Sequence, residues 1–459
     1  MKRSDFLKQI GTTAIGGTVL TGSLSSCKDY QRADYSEAKV GWENWSGLQR
    51  CNPVAVLTPA TDEQLIDAMN KAKGIRFVGS GHSFMPLVPT NDTIISLDTF
   101  SGIVSTDDKN ITARVKAGSK LAYLSREFDK KGQAFMNLPD INTQTLAGAI
   151  STATHGTGKD FKAIHGYIKA LKLITPKGEI LECSETENPD VFQAAKVSLG
   201  CLGAITEVTL QNRKSYTLHR LVTFQTLDWV LQNGTALFDK HQHFEVFYIP
   251  HTKMCMVIRH DVHTGTLKPR QTSEDEDGLQ TLMDLRNYLS WSSPLRKWAA
   301  QLFLEDGMVV EDYSDDSWRL LAQARVSKFN ESEYHVPKEN AFACFKKVCE
   351  LIDSKKETFF PVELRIIQGD DAWLSPFYQR DCMSIAIHAS NKEEYKYLLT
   401  DFGPIYRNHD ARPHWGKLND MSKEQLAAVY PKFNDFLAVR KRCDPEGKLL
   451  NDYLKSIFS

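Results

Sequence analysis

The sequence lacks the features of several protein classes. It has no excess of charge, since 56 Lys and Arg residues face 57 Asp and Glu residues, and it contains no polynucleotide-binding motif. Its nine cysteines form no C-x-x-C pair and no zinc-type spacing. No apolar run is long and uncharged enough to predict a membrane-spanning helix. The composition is that of a globular protein with a sizeable core, and we expect neither nucleic acid nor a metal as a partner.

A further absence concerns nucleotide binding. The segment Val78-Gly79-Ser80-Gly81-His82-Ser83 follows a predicted strand, but Phe84 stands where the G-x-G-x-x-G fingerprint needs its third glycine. Pro86 prevents a long helix from starting there. The segment is therefore not the loop of a nicotinamide-binding fold. Its glycines permit positive φ and close backbone approach, and the N–H groups of such a turn suit an anion such as a pyrophosphate.

Three other segments have patterns that are typical of ligand sites. Residues 144–158 are rich in glycine, alanine and threonine, so their backbone can press against a flat ligand while the hydroxyls donate and accept hydrogen bonds. Glu363 and Arg365 share one face of a predicted strand, because strand side chains alternate with period two. Lys417 ends a His-Trp-Gly-Lys run. His241-Gln242-His243 could suggest a metal, but alternation along a strand explains it better, and no Cys or carboxylate cluster supports a metal.

Residues 51–212 alternate between strand and helix patterns. The run 61–73 predicts a helix with Thr61 as its N-cap and Gly74 as its stop. The runs 168–174 and 180–183 flank a Pro-Lys-Gly turn, which predicts a hairpin. This block therefore mixes helices with at least one antiparallel strand pair.

The second block, residues 213–405, has longer strands and amphipathic helices. Cys344 and Cys349 lie on a predicted helix and are expected to be buried thiols. The run 279–304 is amphipathic, but its internal charges and proline argue against a membrane span. The last segment, 406–459, contains a helix and a final turn.

The N-terminal residues predict a targeting segment. A basic start, a weakly apolar stretch and then Leu24-Ser25-Ser26-Cys27 are typical of a bacterial lipoprotein signal, with cleavage before Cys27 and a lipid on its thiol. The start Arg3-Ser4-Asp5-Phe6-Leu7-Lys8 also resembles a twin-arginine export signal, with Ser4 in place of the second arginine. We expect residues 1–27 to direct export from a bacterial cytoplasm, to the periplasm or to a lipid anchor. An unstructured or processed N-terminus without an anchor is the alternative.

Six motifs follow one another in order from about Trp42 to the C-terminus, and together they are far more specific than any one alone. They are Val78-Gly79-Ser80-Gly81-His82-Ser83, Thr154-His155-Gly156-Thr157-Gly158, Leu199-Gly200-Cys201-Leu202-Gly203, Val362-Glu363-Leu364-Arg365, Leu374-Ser375-Pro376 with Gln379-Arg380-Asp381, and Arg412-Pro413-His414-Trp415-Gly416-Lys417. On these motifs the chain resembles the sugar-1,4-lactone oxidases of the vanillyl-alcohol-oxidase flavoprotein superfamily. The L-gulono-1,4-lactone and D-arabinono-1,4-lactone oxidases are the most similar, with the alditol oxidases close behind.

The resemblance implies an α+β fold. It implies an FAD-binding domain of two subdomains, of the vanillyl-alcohol-oxidase or PCMH type, over residues 42–212. A substrate-binding cap domain with an antiparallel sheet and flanking helices follows over residues 213–405, and the segment 406–459 returns to the flavin. The implied cofactor is FAD, bonded through His82 to the flavin 8α-methyl group, with non-covalent FAD packed against His82 as the alternative. The expected cofactor-binding residues are Gly79, Ser80, Gly81, His82, Ser83, Thr145, Gly148, Thr152, His155, Gly156, Gly203 and Ile205.

The resemblance also implies roles for three charged residues. Lys417 is the cation that stabilises negative charge at flavin N1 and C2=O, with a second role in proton removal. Arg365 holds a substrate oxygen with its fork of donors, and Glu363 accepts hydrogen bonds from sugar hydroxyls and orients Arg365. A surface lysine and a structural ion pair are the alternatives. The expected substrate-binding residues are Thr145, near the N5 side of the flavin, His388 and Ser390.

The implied reaction is oxidation of a lactone hydroxyl next to the carbonyl, with hydride transfer to flavin N5 and reduction of O2 to H2O2. An alditol oxidase that acts on linear polyols is the second interpretation. A dehydrogenase of the same fold with a non-oxygen acceptor is the third. A flavin-binding surface protein without turnover is the fourth, and the charged residues aimed into a buried site argue against it.

Overall fold

The computed structural model describes residues 41–269, 304–323, 327–355 and 358–459. The strands of these residues form four sheets. In chain order, the strands are β1 (Trp42–Glu43), β2 (Arg50–Cys51), β3 (Ala55–Leu57), β4 (Ile75–Val78), β5 (Thr93–Ser96), β6 (Ile103–Asp107), β7 (Thr112–Lys116), β8 (Gln133–Phe135), β9 (Ile168–Ile174), β10 (Ile180–Ser184), β11 (Ala204–Lys214), β12 (Thr217–Thr226), β13 (His243–Ile249), β14 (Met254–His263), β15 (Val309–Asp316), β16 (Phe329–Pro337), β17 (Val362–Ile367), β18 (Cys382–Ser390) and β19 (Arg412–Pro413).

The helices of the described residues are mostly short and lie between these strands. In chain order they are α1 (Asp62–Lys71), α2 (Leu121–Asp129), α3 (Leu146–Ser151), α4 (Pro189–Ala195), α5 (Leu227–Lys240), α6 (Ser317–Leu321), α7 (Ala341–Ser354), α8 (Tyr397–Thr400), α9 (Gly403–Arg407), α10 (Lys423–Val429), α11 (Phe433–Cys443) and α12 (Asp452–Phe458), with single 3₁₀ turns at Ile164–Tyr167 and Lys338–Asn340.

The first part of the chain, from β3 to β11, forms two of the four sheets. One is a parallel three-stranded sheet in the order β3-β5-β4, against which α1 buries Leu65 and Met69. The Thr61 side chain accepts a hydrogen bond from the Gln64 N–H, and the helix ends at Lys71. The predicted helix and its cap are therefore confirmed, because a threonine oxygen at this position satisfies an N–H group that has no partner inside the helix.

The other sheet is antiparallel and has the order β10-β9-β11-β7-β6, with β8 paired to β11. In it β9 and β10 pair from Ile174 opposite Ile180 onward, which confirms the predicted hairpin. A parallel sheet beside an antiparallel one, each with its own helices, gives the α+β class and the two subdomains that the resemblance implied.

The second part of the chain forms one eight-stranded antiparallel sheet, in the order β15-β12-β14-β13-β17-β18-β16-β19. Helix α7 packs on β16, β17 and β18, and it buries Cys344 and Cys349 as expected. The strands β16 and β17 are buried along their whole length. Polar side chains on these two strands therefore face protein or a closed cavity, where they need partners.

The C-terminal segment contacts both parts of the chain. Its strand β19 extends the eight-stranded sheet at β16. Further on, the carbonyl of Lys448 accepts a hydrogen bond of 2.9 Å from the N–H of Ile75, and the buried guanidinium of Arg76 donates to the carbonyl of Leu449. The predicted division between residues 212 and 213 lies two residues before the end of β11 at Lys214, and the eight-stranded sheet begins with β12 at Thr217. The domain limits themselves stay predictions.

One local expectation is wrong. His241 does not alternate with His243 on a strand, because α5 runs through Lys240 and His241 is its C-cap. The His241 ring bonds the Asp261 carboxylate at 2.7 Å. Strand β13 begins at His243, whose buried ring bonds the carbonyl of Thr157 at 2.7 Å. Among the described residues, neither histidine belongs to a group with metal-binding geometry.

Two sequence predictions concern residues that the structure does not describe. The signal segment 1–27 and nearly all of the amphipathic run 279–304 lie outside the described residues. Within the ranges that are described, no helix has the length and apolar character needed to cross a membrane.

Candidate active site

One large cavity lies where the glycine-rich segments meet the eight-stranded sheet. It holds about 1400 Å³ of space, part of it open to solvent. One set of lining residues comes from the loop at 78–83, from 144–155 and from 199–205. The other set comes from the strands of the second sheet and from the segment after β19: Glu331, Glu333, Glu363, Arg365, His414, Gly416 and Lys417. The cavity thus has one side made mainly of backbone and small residues and one side that is strongly charged.

The glycine loop is shaped by close packing. A Cβ atom at Gly79 would lie 2.1 Å from the Thr145 hydroxyl oxygen, so no larger residue fits there without displacing Thr145. Gly81 has φ of +66°, in the left-handed region that glycine adopts without strain. Thr145 is also the N-cap of α3, and its hydroxyl accepts from the N–H of Gly148 at 3.3 Å. The loop 78–83 and the start of α3 therefore form one cradle.

His82 lies at the end of this loop, with its ring fixed on two sides. Its Nε2 is 2.9 Å from the Thr143 hydroxyl oxygen, and its ring centroid is 5.1 Å from that of Trp45. Burial lowers the pKa of His82 to about 4, and the charges of Lys417 and Lys120 act in the same direction. The imidazole is therefore neutral at pH 7.

The charged wall is one face of the second sheet. The strand register pairs Glu363 with Ala386 and Ala386 with Glu333 across β17, β18 and β16. Two residues before Ala386 on β18, Ser384 pairs with Arg365. Two residues after Ala386, His388 pairs with Glu331. Paired residues of an antiparallel sheet share a face, and so do residues two apart on one strand. Acidic and basic side chains from three strands are thereby brought onto one surface.

Lys417 is held by two carboxylates of β16. Its ammonium group forms an ion pair with Glu331 and lies 3.7 Å from Glu333. Burial raises the pKa of Glu331, but Lys417 and the His388 side chain, 3.6 Å away, outweigh this and lower the pKa to about 2. The carboxylate of Glu331 is therefore charged at pH 7, which keeps a compensated cation inside the cavity.

Glu333 connects this pair to buried histidines. Its carboxylate accepts from His155 Nε2 at 2.8 Å and from the Ser384 hydroxyl. The other ring nitrogen of His155 faces the carbonyl oxygen of Gly156 at 2.8 Å. Burial raises the pKa of Glu333, but the His155 hydrogen bond and charge outweigh it and hold the pKa well below the usual range. Burial lowers the pKa of the neighbouring His414 to about 3. These groups form a satisfied buried network at the edge of the cavity.

Arg365 lies among three carboxylates. It forms ion pairs with Asp140 and Glu363, and its Nε is 3.9 Å from a Glu245 oxygen. Its side chain is 10% exposed and that of Glu363 is 9% exposed. Burial alone would lower the pKa of Arg365, but the charges of Asp140 and Glu245 raise it. The guanidinium therefore occupies the position that a metal ion would need among these acidic groups. The remaining carboxylate oxygens are hydrogen-bond acceptors, which suit a ligand with many hydroxyl donors.

The structure brings most of the predicted site residues to the cavity. Those that line it are Gly79, Ser80, Gly81, His82, Ser83, Thr145, Gly148, Thr152, His155, Gly203, Ile205, Glu363, Arg365 and Lys417. Gly156 does not line it; a Cβ there would meet the Leu138 carbonyl oxygen at 2.2 Å, so this glycine allows close backbone packing instead. His388 and Ser390 do not line the cavity either, and His388 lies beside Glu331. The roles of all these residues stay predictions.

Sequence reasoning missed several residues that complete the site. Glu331 and Glu333 lie on β16 with the same spacing as Glu363 and Arg365, so alternating acids on a predicted strand were the available signal. Asp140 and Thr143 lie on the irregular stretch before α3, where no local pattern marks a contact with Arg365 or His82. Only the folded chain shows these partners.

The residues on the glycine side fit the cofactor that the resemblance implied. The cradle at Gly79 and Gly81 leaves room that a side chain would fill. The buried amide oxygen of Gln144 lines the cavity and has no hydrogen-bond partner among the residues described. A free acceptor beside backbone N–H groups and small residues suits a planar ring system with its own donors and a linked pyrophosphate. FAD has both parts.

The fold and this site define an FAD-dependent oxidoreductase of the PCMH type. Residues 53–184 match the family model of the FAD binding domain, and residues 208–457 match that of D-arabinono-1,4-lactone oxidase. The second match covers more than half of the chain. The chain belongs to the D-arabinono-1,4-lactone oxidase family.

Two of the curated relatives are similar over nearly the whole chain, and a third over about half of it. The chain is 31% identical over 432 residues to the L-gulono-1,4-lactone dehydrogenase of Mycobacterium tuberculosis, which covers 91% of this chain and 99% of that protein. It is 30% identical over 438 residues to the L-gulonolactone oxidase of Bos taurus, with 91% and 98% covered. A D-arabinono-1,4-lactone oxidase of Candida albicans is 30% identical over 256 residues, with 51% and 45% covered.

Solved structures with the same fold include cholesterol oxidases. A solvent-stable cholesterol oxidase superposes with a TM-score of 0.74 at 15% identity, covering 91% of this chain and 97% of that one. The cholesterol oxidase of B. sterolicum gives a TM-score of 0.72 at 15% identity, with 91% and 96% covered. At this identity the likeness concerns the fold alone.

The substitution Gly79→Ala tests the cradle. We expect a chain that folds but binds much less FAD, because the new methyl group would collide with the Thr145 hydroxyl in the cradle. The measurement is the ratio of flavin absorbance near 450 nm to protein absorbance after purification. Gly74→Ala is the matched control, since its Cβ would meet Asp92 at an ordinary 3.4 Å. Full FAD content in Gly79→Ala would mean that the cradle does not hold the cofactor.

The substitution Glu331→Gln tests the ion pair through acid stability. The pKa of Glu331 is about 2 in the folded chain against an ordinary 4.5, so its charge stabilises the fold above about pH 4.5. That contribution is lost as the pH falls from 4.5 towards 2. We expect the melting temperature of Glu331→Gln to depend less on pH in this window than that of the wild type. The exposed Glu185→Gln should behave like the wild type. Equal slopes for Glu331→Gln and the wild type would contradict the assignment.

Proposed function

We propose that the protein oxidises a sugar-1,4-lactone of the L-gulono- or D-arabinono-1,4-lactone type, with hydride transfer to FAD and O2 as the final acceptor. One observation carries the proposal. One face of the buried sheet, together with Lys417 from the segment after β19, presents the pairs Lys417–Glu331 and Arg365–Glu363 to the same cavity as the FAD cradle. Two compensated cations among several carboxylate oxygens suit a neutral substrate with many hydroxyls, which both donates and accepts hydrogen bonds.

Arg365 and Glu363 would bind and orient the substrate. The carboxylate of Glu363 accepts hydrogen bonds from sugar hydroxyls, and the guanidinium fork of Arg365 donates to the lactone oxygen or to the oxygen that is being oxidised. Asp140 and Glu245 keep Arg365 in one position from behind. A fixed donor contributes more to a transition state than a mobile one, because it needs no reorganisation when charge develops.

Lys417 would stabilise the negative charge that accompanies oxidation. FAD, when bound, takes up the hydride at N5. The ammonium group of Lys417 supplies positive charge in the same cavity, and the carboxylate of its partner Glu331 can take up the proton that the substrate hydroxyl loses. The carboxylates of Glu331 and Glu333 compensate the charge of this partly buried side chain.

FAD would be bonded to the chain through His82. The neutral imidazole at the end of the cradle has the nucleophilic form that such a bond requires. The resemblance to the sugar-1,4-lactone oxidases supports this position, and a bonded cofactor would not be lost after export.

The N-terminal pattern supports export and a lipid on Cys27. Replacement of Cys27 by Ser should then move the protein from the membrane fraction to the periplasm.

The second candidate is a lactone dehydrogenase that passes electrons to an acceptor other than O2. The Mycobacterium tuberculosis relative is an L-gulono-1,4-lactone dehydrogenase, which favours this candidate, and the Bos taurus relative is an L-gulonolactone oxidase, which favours the oxidase. An alditol oxidase is a weaker alternative, because the predicted polyol contacts His388 and Ser390 do not line the cavity.

Peroxide release tests the proposal and separates the candidates. Purified holoenzyme is given L-gulono-1,4-lactone, D-arabinono-1,4-lactone, xylitol or sorbitol in air. We expect peroxide with the lactones and much less with the polyols. Peroxide from the polyols alone would identify an alditol oxidase. Lactone oxidation that needs an added dye and yields no peroxide would identify the dehydrogenase.

A further inference from the structure

The ring of His82 has one side-chain hydrogen-bond partner that neither the resemblance nor the sequence pattern marked. The hydroxyl oxygen of Thr143 lies 2.9 Å from His82 Nε2, although the two residues are 61 positions apart. Across the described ranges, 41–269, 304–323, 327–355 and 358–459, His82 Nδ1 makes no hydrogen bond. His82 lines the cavity. One ring nitrogen is thus engaged and the other is left for a ligand.

The position of Thr143 is fixed by the same loop that carries His82. The Ser80 hydroxyl donates to the Thr143 carbonyl oxygen at 2.5 Å, and Lys120 Nζ donates to the Ser80 hydroxyl at 2.9 Å. The backbones of Lys120 and Thr145 also form a β-bridge. These contacts tie the stretch before α3 to the loop 78–83, so Thr143 cannot move away from His82 without breaking them.

A hydroxyl is suited to hold a histidine that becomes bonded to a flavin. In a neutral imidazole one nitrogen carries hydrogen and the other carries the lone pair. When Nε2 donates its hydrogen to the Thr143 oxygen, the lone pair lies on Nδ1, the ring nitrogen that makes no hydrogen bond within the described residues. Once Nδ1 is bonded to carbon, Nε2 has lost its hydrogen and accepts one from the Thr143 hydroxyl. A hydroxyl can both accept and donate, whereas a carbonyl oxygen only accepts.

We propose that Thr143 is a positioning residue for attachment of FAD to His82, and that it holds Nε2 so that Nδ1 forms the bond. The inference rests on the proposed covalent attachment at His82. In the reaction, the Nδ1 lone pair forms a bond to the 8α carbon, and one C–H bond of the 8α methyl group breaks. The C–H hydrogen leaves as a proton, and its electron pair stays on the flavin ring system. Together with the proton that Nε2 loses, this gives the attached flavin in its two-electron-reduced form. O2 then takes up two electrons and two protons as H2O2, which leaves attached, oxidised FAD.

Two other features of the site agree with this role. The pKa of His82 is lowered to about 4, chiefly by burial and then by Lys417 and Lys120, so the ring keeps a lone pair at pH 7. Trp45 packs on the ring at 5.1 Å between centroids, which limits rotation about the axis that would exchange the two nitrogens. The ring is therefore held by one tilted ring contact and one hydrogen bond.

The test compares Thr143→Val, which removes the hydroxyl at nearly constant volume, with Thr143→Ser, which keeps it. Each holoenzyme is denatured on a gel, and in-gel flavin fluorescence is divided by the total FAD released and retained. We expect the attached fraction to fall roughly tenfold or more in Thr143→Val, since misplacement of a reacting group slows reactions by up to about 10²-fold. Thr143→Ser should stay close to the wild type. Thr106→Val, on the edge strand β6, is the control for a lost threonine hydroxyl.

His82→Ala separates this inference from the proposal that it rests on. If His82→Ala keeps its in-gel flavin fluorescence, the flavin is attached elsewhere, and both the attachment at His82 and the role of Thr143 are overturned. Both are also overturned if the wild type holds no attached flavin. If His82→Ala loses fluorescence while Thr143→Val keeps the wild-type fraction, only the role of Thr143 is overturned. Loss in both Thr143→Val and Thr143→Ser, with normal total FAD, would also overturn it, because the hydroxyl would then not be the cause. Peroxide release with lactones is read separately and tests the reaction itself.

Discussion

Replacement of Lys417 by Met should lower kcat with L-gulono-1,4-lactone by about 10²- to 10³-fold, the loss seen when one preorganised electrostatic contact is removed from a transition state. The side chain is similar in length, so the cavity keeps its shape. What is lost is the positive charge that the ion pair with Glu331 and the nearby Glu333 hold in the cavity. Turnover is measured by steady-state kinetics together with FAD content.

Two controls make the Lys417 result specific. Lys441→Met removes an exposed lysine on α11 and should leave turnover unchanged. The double variant Lys417→Met with Glu331→Gln removes the carboxylate that the first change leaves unpaired, so it should regain thermal stability without regaining turnover. Near-normal kcat in Lys417→Met with full FAD would exclude a catalytic role for this residue.

Replacement of Arg365 by Leu should destabilise the protein by about 3–5 kcal/mol, the usual effect of removing one partner from a buried ion pair. The reason is that Asp140, Glu245 and Glu363 would keep their charges without the cation between them. Activity should be lost as well. The free energy of unfolding is measured by denaturant titration of the holoenzyme.

Arg365→Lys separates binding from stability. It keeps the positive charge, so most of the stability should remain, but it lacks the planar donor fork. We expect kcat/KM with the lactones to fall about 10²-fold, which corresponds to about 2.7 kcal/mol of lost transition-state binding. The exposed Arg319→Lys, on α6, is the matched control. Wild-type kcat/KM in Arg365→Lys would mean that Arg365 acts through its charge alone.

The parts of the fold that the sequence predicted are those with short-range causes. The cap at Thr61 and the helix after it follow from hydrogen bonds within four residues. The pairing of β9 with β10 follows from one tight turn. That Glu363 and Arg365 share a face follows from the period of a strand. The one misplaced histidine, His241, lies where a helix gives way to a strand, and local pattern alone does not fix such a boundary.

The parts that the sequence did not predict depend on register between distant strands. Glu331 meets Lys417 because β16 lies next to β19 in the sheet, 86 residues apart in the chain. Asp140 meets Arg365 across 225 residues. The family resemblance predicted the glycine cradle and the charged motifs. It did not distinguish Gly156, which packs against backbone, from the glycines that line the cavity.

The charged wall also argues against a flavin-binding protein without turnover. Glu331, Glu333, Glu363 and Arg365 are all nearly or fully buried, and burial of charge costs several kcal/mol unless each group is paired. A scaffold gains nothing from such an arrangement at the edge of a cofactor cavity. An enzyme gains fixed charges where a neutral substrate develops charge during oxidation.

The measurement that tests the central claim most directly is anaerobic reduction of the bound FAD. Holoenzyme free of oxygen is mixed with L-gulono-1,4-lactone, D-arabinono-1,4-lactone or xylitol, and absorbance near 450 nm is followed by stopped flow. We expect rapid loss of this absorbance with the lactone, little change with xylitol, and recovery when air is admitted. FAD that stays oxidised with both lactones while a polyol reduces it, or with every sugar tested, would contradict lactone oxidation by this protein.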